Sequence, residues 1–415
     1  MRFDTVIIGG GLSGLVCGLK LQKAGKRCAI VSAGQNAMHF FSGGFGLLSR
    51  LPDGTPVTSP FEAIDSLPDN HPYRLIGCGN LEKYASEAVT LLADCGVKTT
   101  GGGKENGWII SASGKPKQAW LALDDITFIN SNEEKIGNSA LIINIEGFLD
   151  FNTSFIAEAF EKQGIRCRIA SVMTPEIDRV RNNPSEMRSS NIAKLMSREA
   201  ARSAFMLEIN KKYDDDDIIV LPAVFGLNSD EDVIGIRRNA PAKICFVGTL
   251  PPSVPGIRTQ MKLKRSFEEM GGVFLMGDKA VRAEIIDGEV KEVVTENLGD
   301  ITLTADNYVL ASGSYFGHGL IADYNEVTEP VCGLDVDYCK ERENWFNPDF
   351  FKAQKYIGFG VKTDEKFRAR KDGRTITNLY VAGSILGGFN PLLEGSGSGV
   401  ALTTALCISD SILGR

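Results

Sequence analysis

The chain has 415 residues, 45 of them glycine, and a formal charge of −7 at neutral pH. That acidic balance excludes a general nucleic-acid binder, which needs a basic surface first of all, while the length suits two or three domains or one large α/β domain with an insertion. Nine cysteines, at 17, 28, 78, 95, 167, 245, 332, 339 and 407, form no CxxC pair, so no iron–sulfur or zinc site is written here. In chain order, the apolar run Val6-Ile7-Ile8 flows into Gly9-Gly10-Gly11-Leu12-Ser13-Gly14. Leu15, Leu19, Leu21 and Ala24 then mark a helix that stops at Gly25, ahead of a strand at Cys28-Ala29-Ile30-Val31. Strand, glycine turn and helix in this order read as a βαβ dinucleotide unit: Gly9 permits the tight turn, Gly11 lets backbone approach phosphate, and Gly14 lets helix and strand pack. The helix N-terminus supplies free N–H groups and the positive end of its dipole to an anion. One part of the fingerprint is missing, because Ser32 stands where an Asp or Glu normally takes the ribose hydroxyls. Cys17 and Cys28 fall at apolar positions and read as small buried hydrophobes.

Further along, Met38 to Gly46 is a glycine-rich segment flanked by aromatics, and 51–73, rich in Pro, Asp and Ser, reads as a surface excursion. A helix is predicted over Leu81 to Gly96 and a hairpin region over Gly101 to Pro116. A second strand–helix–strand unit follows, with strands at Leu141–Ile145 and Ile165–Val172 around a helix from Asn152 to Gln163, but it carries no glycine fingerprint. One helix is expected around Ser190 to Lys212. The acidic run Asp214 to Asp217 reads as a solvated turn before the strand Ile218–Leu221, since consecutive loop carboxylates do not easily converge on one ion. Leu250 to Gly256, with three prolines, is a stiff connector into a helix whose basic residues Arg258, Lys262, Lys264 and Arg265 read as a solvated face. A β-meander is predicted from Val281–Ile286, the Asp287-Gly288 turn, Val290–Thr295 and Ile301–Thr304, leading to the apolar strand Tyr308 to Ser314. Near the C-terminus, the strand Leu379 to Ser384 precedes Gly387-Gly388 and Glu394-Gly395-Ser396-Gly397-Ser398-Gly399, which opens a last helix from Val400 to Ser411.

The N-terminal glycine unit, the meander returning through Val309-Leu310-Ala311-Ser312-Gly313, and the C-terminal strand–Gly–helix occur in the order of the two-dinucleotide-binding-domain flavoprotein group, which the chain resembles. Within that group it is similar to the family of the B subunit of anaerobic, quinone-linked glycerol-3-phosphate dehydrogenase. The resemblance rests on Met1 to Ile7 with the GGGLSG turn, Leu250 to Arg258, Gly271-Gly272-Val273, and Gly383 to Phe389. It implies an α/β fold: a Rossmann-like flavin-binding domain with a β-meander, over 1–75 with 262–315 and 355–415, plus an inserted α/β domain over 76–261 with 316–354. It also implies work beside an FAD-bearing catalytic A subunit and an iron–sulfur C subunit. That complex would oxidise glycerol 3-phosphate to dihydroxyacetone phosphate and send electrons towards menaquinone for fumarate or nitrate respiration. The family's B subunit is described as an FMN protein, which Ser32 and Ser384 in place of acids also fit; the glycine turn, built for a pyrophosphate, favours FAD, and both flavins stay open. With no leader or membrane span in view, the expected location is cytoplasmic, peripheral at the inner face of the membrane through a partner.

By matching motifs, Gly9, Gly11, Ser13 and Gly14 should face phosphate, with Ser32 at the ribose position. Ser42, Gly43 and Gly44 should approach the isoalloxazine, and Ala280 should meet an adenine through its backbone. Ala311, Ser312 and Gly313 after one strand, and Gly383, Ser384 and Gly388 after another, should line the cofactor, where Ser384 replaces the acid of many relatives. Ser398, Gly399 and Val400 should bring a helix N-terminus to the flavin N1–O2 edge. His318 and His39 are the candidate bases, and Arg258 the candidate receiver of a substrate phosphate.

Overall fold

The computed structural model describes residues 1–415. Strand β1 (Arg2–Ile8) leads through the glycine turn into α1 (Leu12–Lys23), whose residues from Leu12 to Leu21 are all buried, as in a helix enclosed on every side. Strand β2 (Cys28–Ser32) is buried at every position. Helix α2 (Cys78–Asp94) precedes β3 (Ser139–Ile145), α3 (Thr153–Lys162), β4 (Arg166–Val172), β5 (Ile218–Pro222) and β6 (Lys243–Val247). Helix α4 (Val254–Glu269) carries the chain back to β7 (Val273–Met276), the hairpin β8 (Ala280–Ile286) and β9 (Glu289–Thr295), and β10 (Thr304–Leu310). Strands β11 (Arg368–Lys371) and β12 (Arg374–Val381) and helix α5 (Gly397–Ile412) complete it.

Six strands form one sheet in the order β7-β2-β1-β10-β12-β11, parallel except for β11 at the edge. Four more, β4-β3-β5-β6, form a second, wholly parallel sheet. Strands buried on both faces need apolar residues throughout, which is why Val6-Ile7-Ile8 and Ile218 to Leu221 run without alternation. The chain order reverses across β1, with β2 on one side and β10 on the other, and ligands of such sheets bind beyond the strand ends at that point. Ile8 pairs with both Val31 and Leu310, and Leu310 with Val381. This register brings Gly9, Ser32, Ala311 and Ala382 out along a single edge.

Four expectations are corrected in whole or in part. The 51–73 segment lies largely at the surface as expected but is anchored rather than a free excursion: Val57, Ile64, Leu67, His71 and Tyr73 are buried, and Asn106 donates to the carbonyls of Leu48 and Val57. The helix expected around 190–212 is two, Ser189–Met196 and Glu199–Lys212, broken where the Ser197 hydroxyl and Arg202 take the last carbonyls of the first. The third meander strand shrinks to one bridge between Val293 and Leu303, because Thr304 already belongs to β10. In the acidic run, Asp214, Asp215 and Asp217 are exposed as a solvated turn requires, and only Asp216 departs from it, buried and bonded to Arg168, while Asp217 also accepts the Asn138 N–H at 2.6 Å. Among the described residues no helix is long and apolar enough to cross a membrane, and no group of His, Cys, Asp and Glu is placed to hold a metal ion.

Candidate cofactor site

The three glycines of the first turn have different neighbours. Gly9 has φ +122°, and a Cβ there would lie 2.1 Å from the Ala311 carbonyl oxygen; a Cβ on Gly14 would lie 1.9 Å from the Gly9 oxygen. Those two let the turn, α1 and the end of β10 close on one another. A Cβ on Gly11 would meet nothing nearer than Asn36, at 3.9 Å. Gly11 is the N-cap of α1 with no side-chain cap, and among the described residues no protein acceptor takes the N–H of Gly11, Leu12 or Ser13. An uncapped helix start of this kind suits an anion. The Ser13 side chain lies against Gly383, whose Cβ would fall 2.1 Å from Ser13 Oγ, so Ser13 links the first turn to the end of β12.

At the neighbouring strand ends, Ser32 is buried with its hydroxyl against the glycine turn: a Cβ on Gly10 would lie 2.4 Å from Ser32 Oγ. Past β10, the Ala311 carbonyl sits under Gly9, Gly313 turns at φ +80°, and the Ser312 Oγ is buried without a partner. The Tyr315 hydroxyl is likewise buried and unpartnered; burial, with nearby Tyr356 adding and Arg342 opposing, pushes its phenol up to about 12. Past β12, Gly383 donates to Thr404 Oγ1 and Ser384 lies beside Gly313. Gly388, expected at the cofactor, is a packing glycine: with φ +86°, its Cβ would meet the Asn70 carbonyl oxygen at 2.5 Å. Ala280 is buried at the start of β8.

Ser42 leads into Gly43 and Gly44, where added Cβ atoms would strike Ile126 at 2.4 Å and Ile109 at 2.7 Å. Packing and a φ of +89° require glycine at 43, whereas at 44 the nearest contact is only the end of the Ile109 side chain. Gly44–Phe45 pairs with Leu121–Ala122, and the next carbonyl, that of Gly46, accepts from Gly399 N–H at 2.8 Å and Ser398 Oγ at 3.0 Å. Val400 N–H goes to the Ser396 oxygen. Of the expected C-terminal donors, the Ser398 hydroxyl and the Gly399 and Val400 amides are thus used inside the protein. The N–H groups of Gly397 and Ser398 remain without a protein acceptor among the described residues.

The three candidate catalytic side chains separate. His39 Nδ1 is buried without a partner, on the segment between Asn36 and Ser42. His318 is exposed, in a left-handed turn at φ +56°. Arg258 is no phosphate receiver: it is buried, bonded to Asp125 at 2.6 Å and to the carbonyls of Phe225 and Gly226. Lys262 on the same helix pairs with Asp230, so the face expected to be solvated is partly closed. Sequence reasoning passed over His71, which is wholly buried, bonded to Glu394 at 3.1 Å, and accepts the Tyr73 N–H. Glu394 also accepts from Ser396 Oγ and Asn390 N–H, and Tyr73 donates to the Leu47 carbonyl. This cluster fixes the turn that opens α5. Only its Glu and Ser, embedded in the glycine run, gave any signal in the sequence.

A glycine turn at the switch point, free helix-start N–H groups and buried unpartnered polar atoms at the adjoining strand end define a dinucleotide-binding α/β protein. Residues 4–400 match the family described as FAD binding domain. The anaerobic glycerol-3-phosphate dehydrogenase B subunit of Pectobacterium atrosepticum is 42% identical over 416 residues, covering 100% of this chain and 99% of the relative. The corresponding B subunit of Glaesserella parasuis is 37% identical over 427 residues, covering 100% of both. The chain belongs to this B-subunit family, within the FAD-binding flavoproteins. Among solved structures, 3-ketosteroid Δ1-dehydrogenase from Sterolibacterium denitrificans aligns over 100% of this chain and 99% of its own at 9% identity and a TM-score of 0.45, a divergence too wide to carry function across.

Proposed function

We propose that this chain is the flavoprotein subunit of a quinone-linked anaerobic sn-glycerol-3-phosphate dehydrogenase. It works beside an FAD-bearing A subunit that oxidises glycerol 3-phosphate to dihydroxyacetone phosphate and an iron–sulfur C subunit that hands electrons to menaquinone and holds the complex at the inner face of the membrane. Its own part is the relay between them. The observation that carries the flavin reading is the open start of α1, where Gly11, Leu12 and Ser13 present N–H groups with no protein acceptor. FAD is the flavin we assign, rather than the FMN that the resemblance implies, because those donors suit a pyrophosphate, which FMN lacks.

Gly9 and Gly14 hold the turn in place, Ser312 Oγ and Tyr315 OH offer buried hydrogen-bonding atoms, and Gly397 and Ser398 N–H bring a second helix start to the ligand. A bound flavin supplies the redox chemistry. Of the two candidate bases, His39 is the one we favour, because its Nδ1 is buried without a partner on the segment that leads into Ser42, whereas His318 is exposed.

The test is to denature the purified chain and separate the released cofactor by chromatography. FAD is expected; FMN alone overturns the assignment, and no flavin after reconstitution overturns the flavoprotein reading. Turnover of glycerol 3-phosphate by the chain alone with an artificial acceptor overturns the relay-only role.

A further inference from the structure

The carbonyl oxygen of Gly10 accepts two side-chain amides from separate parts of the chain: Asn36 Nδ2 at 3.2 Å and Gln260 Nε2, from α4, at 3.3 Å. Gln260 is buried and Asn36 is anchored, its Oδ1 accepting the Met38 N–H at 2.9 Å. One donor would satisfy the carbonyl; two fill both of its lone pairs. In a trans peptide the C=O of one residue and the N–H of the next point in opposite directions. Pinning the Gly10 oxygen therefore turns the Gly11 N–H away from both amides, and no protein acceptor takes it among the described residues. Residues 9–14 and 32–36 contain no Lys or Arg, so what the turn itself offers an anion is its peptide N–H groups, whose direction must be fixed beforehand. Donors on the carbonyl also polarise the peptide and strengthen its N–H as a donor.

We propose that Asn36 and Gln260 are positioning residues that clamp the Gly10–Gly11 peptide so that its N–H is preset for a phosphate oxygen of a flavin nucleotide. This rests on the flavin reading above. The full-length chain, stripped of cofactor, is titrated separately with FAD and with riboflavin, which has no phosphate, following flavin fluorescence. The chains compared are wild type, Gln260→Leu, which keeps the volume and loses the donor, and Asn36→Ser, which keeps an acceptor for Met38 N–H but cannot reach Gly10. Each variant is expected to bind FAD about tenfold more weakly, with riboflavin affinity and the thermal midpoint of the stripped protein unchanged. FAD affinity equal to wild type in both variants, or an equal loss for riboflavin, overturns the clamp and leaves the flavin reading standing. A wild type that binds neither ligand overturns that reading, and the clamp with it.

Discussion

Gly9 and Gly11 stand two residues apart in one turn, yet different atoms require them. Gly9→Ala would push a methyl into the Ala311 carbonyl at a φ that L-residues rarely adopt, a loss of about 2–4 kcal/mol in urea unfolding of the flavin-free protein. Gly11→Ala meets open space, so its unfolding should stay within about 0.5 kcal/mol of wild type while flavin affinity falls; equal destabilisation by the two would show that both glycines serve only packing. The GxGxxG spacing made the turn readable, but not this division, since the clashing atom belongs to a strand end some three hundred residues away. Distance in sequence also hid Arg258. It reads as a free cation on a basic helix, and nothing nearby announces Asp125 as its buried partner. Asp125→Ala should cost about 3–5 kcal/mol by leaving that guanidinium uncompensated, measured as a shift of the unfolding midpoint in denaturant. His71 was obscured by its surroundings: a stretch rich in Pro, Asp and Ser resembles an exposed loop until Tyr73 and Glu394 close over it.

Elements that read well from the sequence are those whose burial leaves an unbroken apolar run, such as β1, β2, β5 and the end of β10. Those that read badly end on a local accident of hydrogen bonding, as at Ser197, or on a single bridging residue, as at Leu303. Contacts between helices were not readable at all, and one cluster of them predicts a pH response. Lys20 of α1 bonds Asp410 of α5 at 2.7 Å and Glu87 of α2 at 2.9 Å, while Lys83 and Tyr84 of α2 reach the same Asp410. Burial pushes the Asp410 carboxyl up, but the hydrogen bonds from Lys20, Lys83 and Tyr84 outweigh it and hold the group below the usual carboxylate range. A carboxyl lowered in the folded state favours folding at pH values above its unfolded pKa, about 3.9, and this contribution is lost as pH falls through the folded value. Asp410→Asn should therefore lower the thermal midpoint at pH 7, with the gap to wild type narrowing below about pH 4. A gap that stays constant with pH would mean that the cluster acts through packing rather than charge.

Across the whole molecule the two sheets share one continuous apolar core, in which Phe225, Phe246 and Ile142 of the four-stranded sheet's region join Ile7, Leu310 and Leu406. The proposed cofactor crevice draws on residues 9–14, 36–46, 312–315 and 383–398, so no partial stretch of the unfolded chain reproduces it, and flavin should bind the folded state alone. Flavin held at a hundredfold excess over its Kd then stabilises the fold by about 2.7 kcal/mol. Unfolding entropy of about 2.1 cal/mol/K per residue gives a chain of this length about 0.9 kcal/mol per degree, and hence a rise of about 3 °C in the thermal midpoint. Because the core is continuous, that rise should appear as a shift of one transition that carries both sheets. Differential scanning calorimetry with and without FAD measures it directly. Two resolved transitions of which only one moves would show that the four-stranded sheet unfolds on its own, and that the apolar contact between the sheets is too weak to couple it to the crevice. Gly11→Ala supplies the control, since it should leave the flavin-free midpoint in place and shrink the flavin-induced rise at the same FAD concentration.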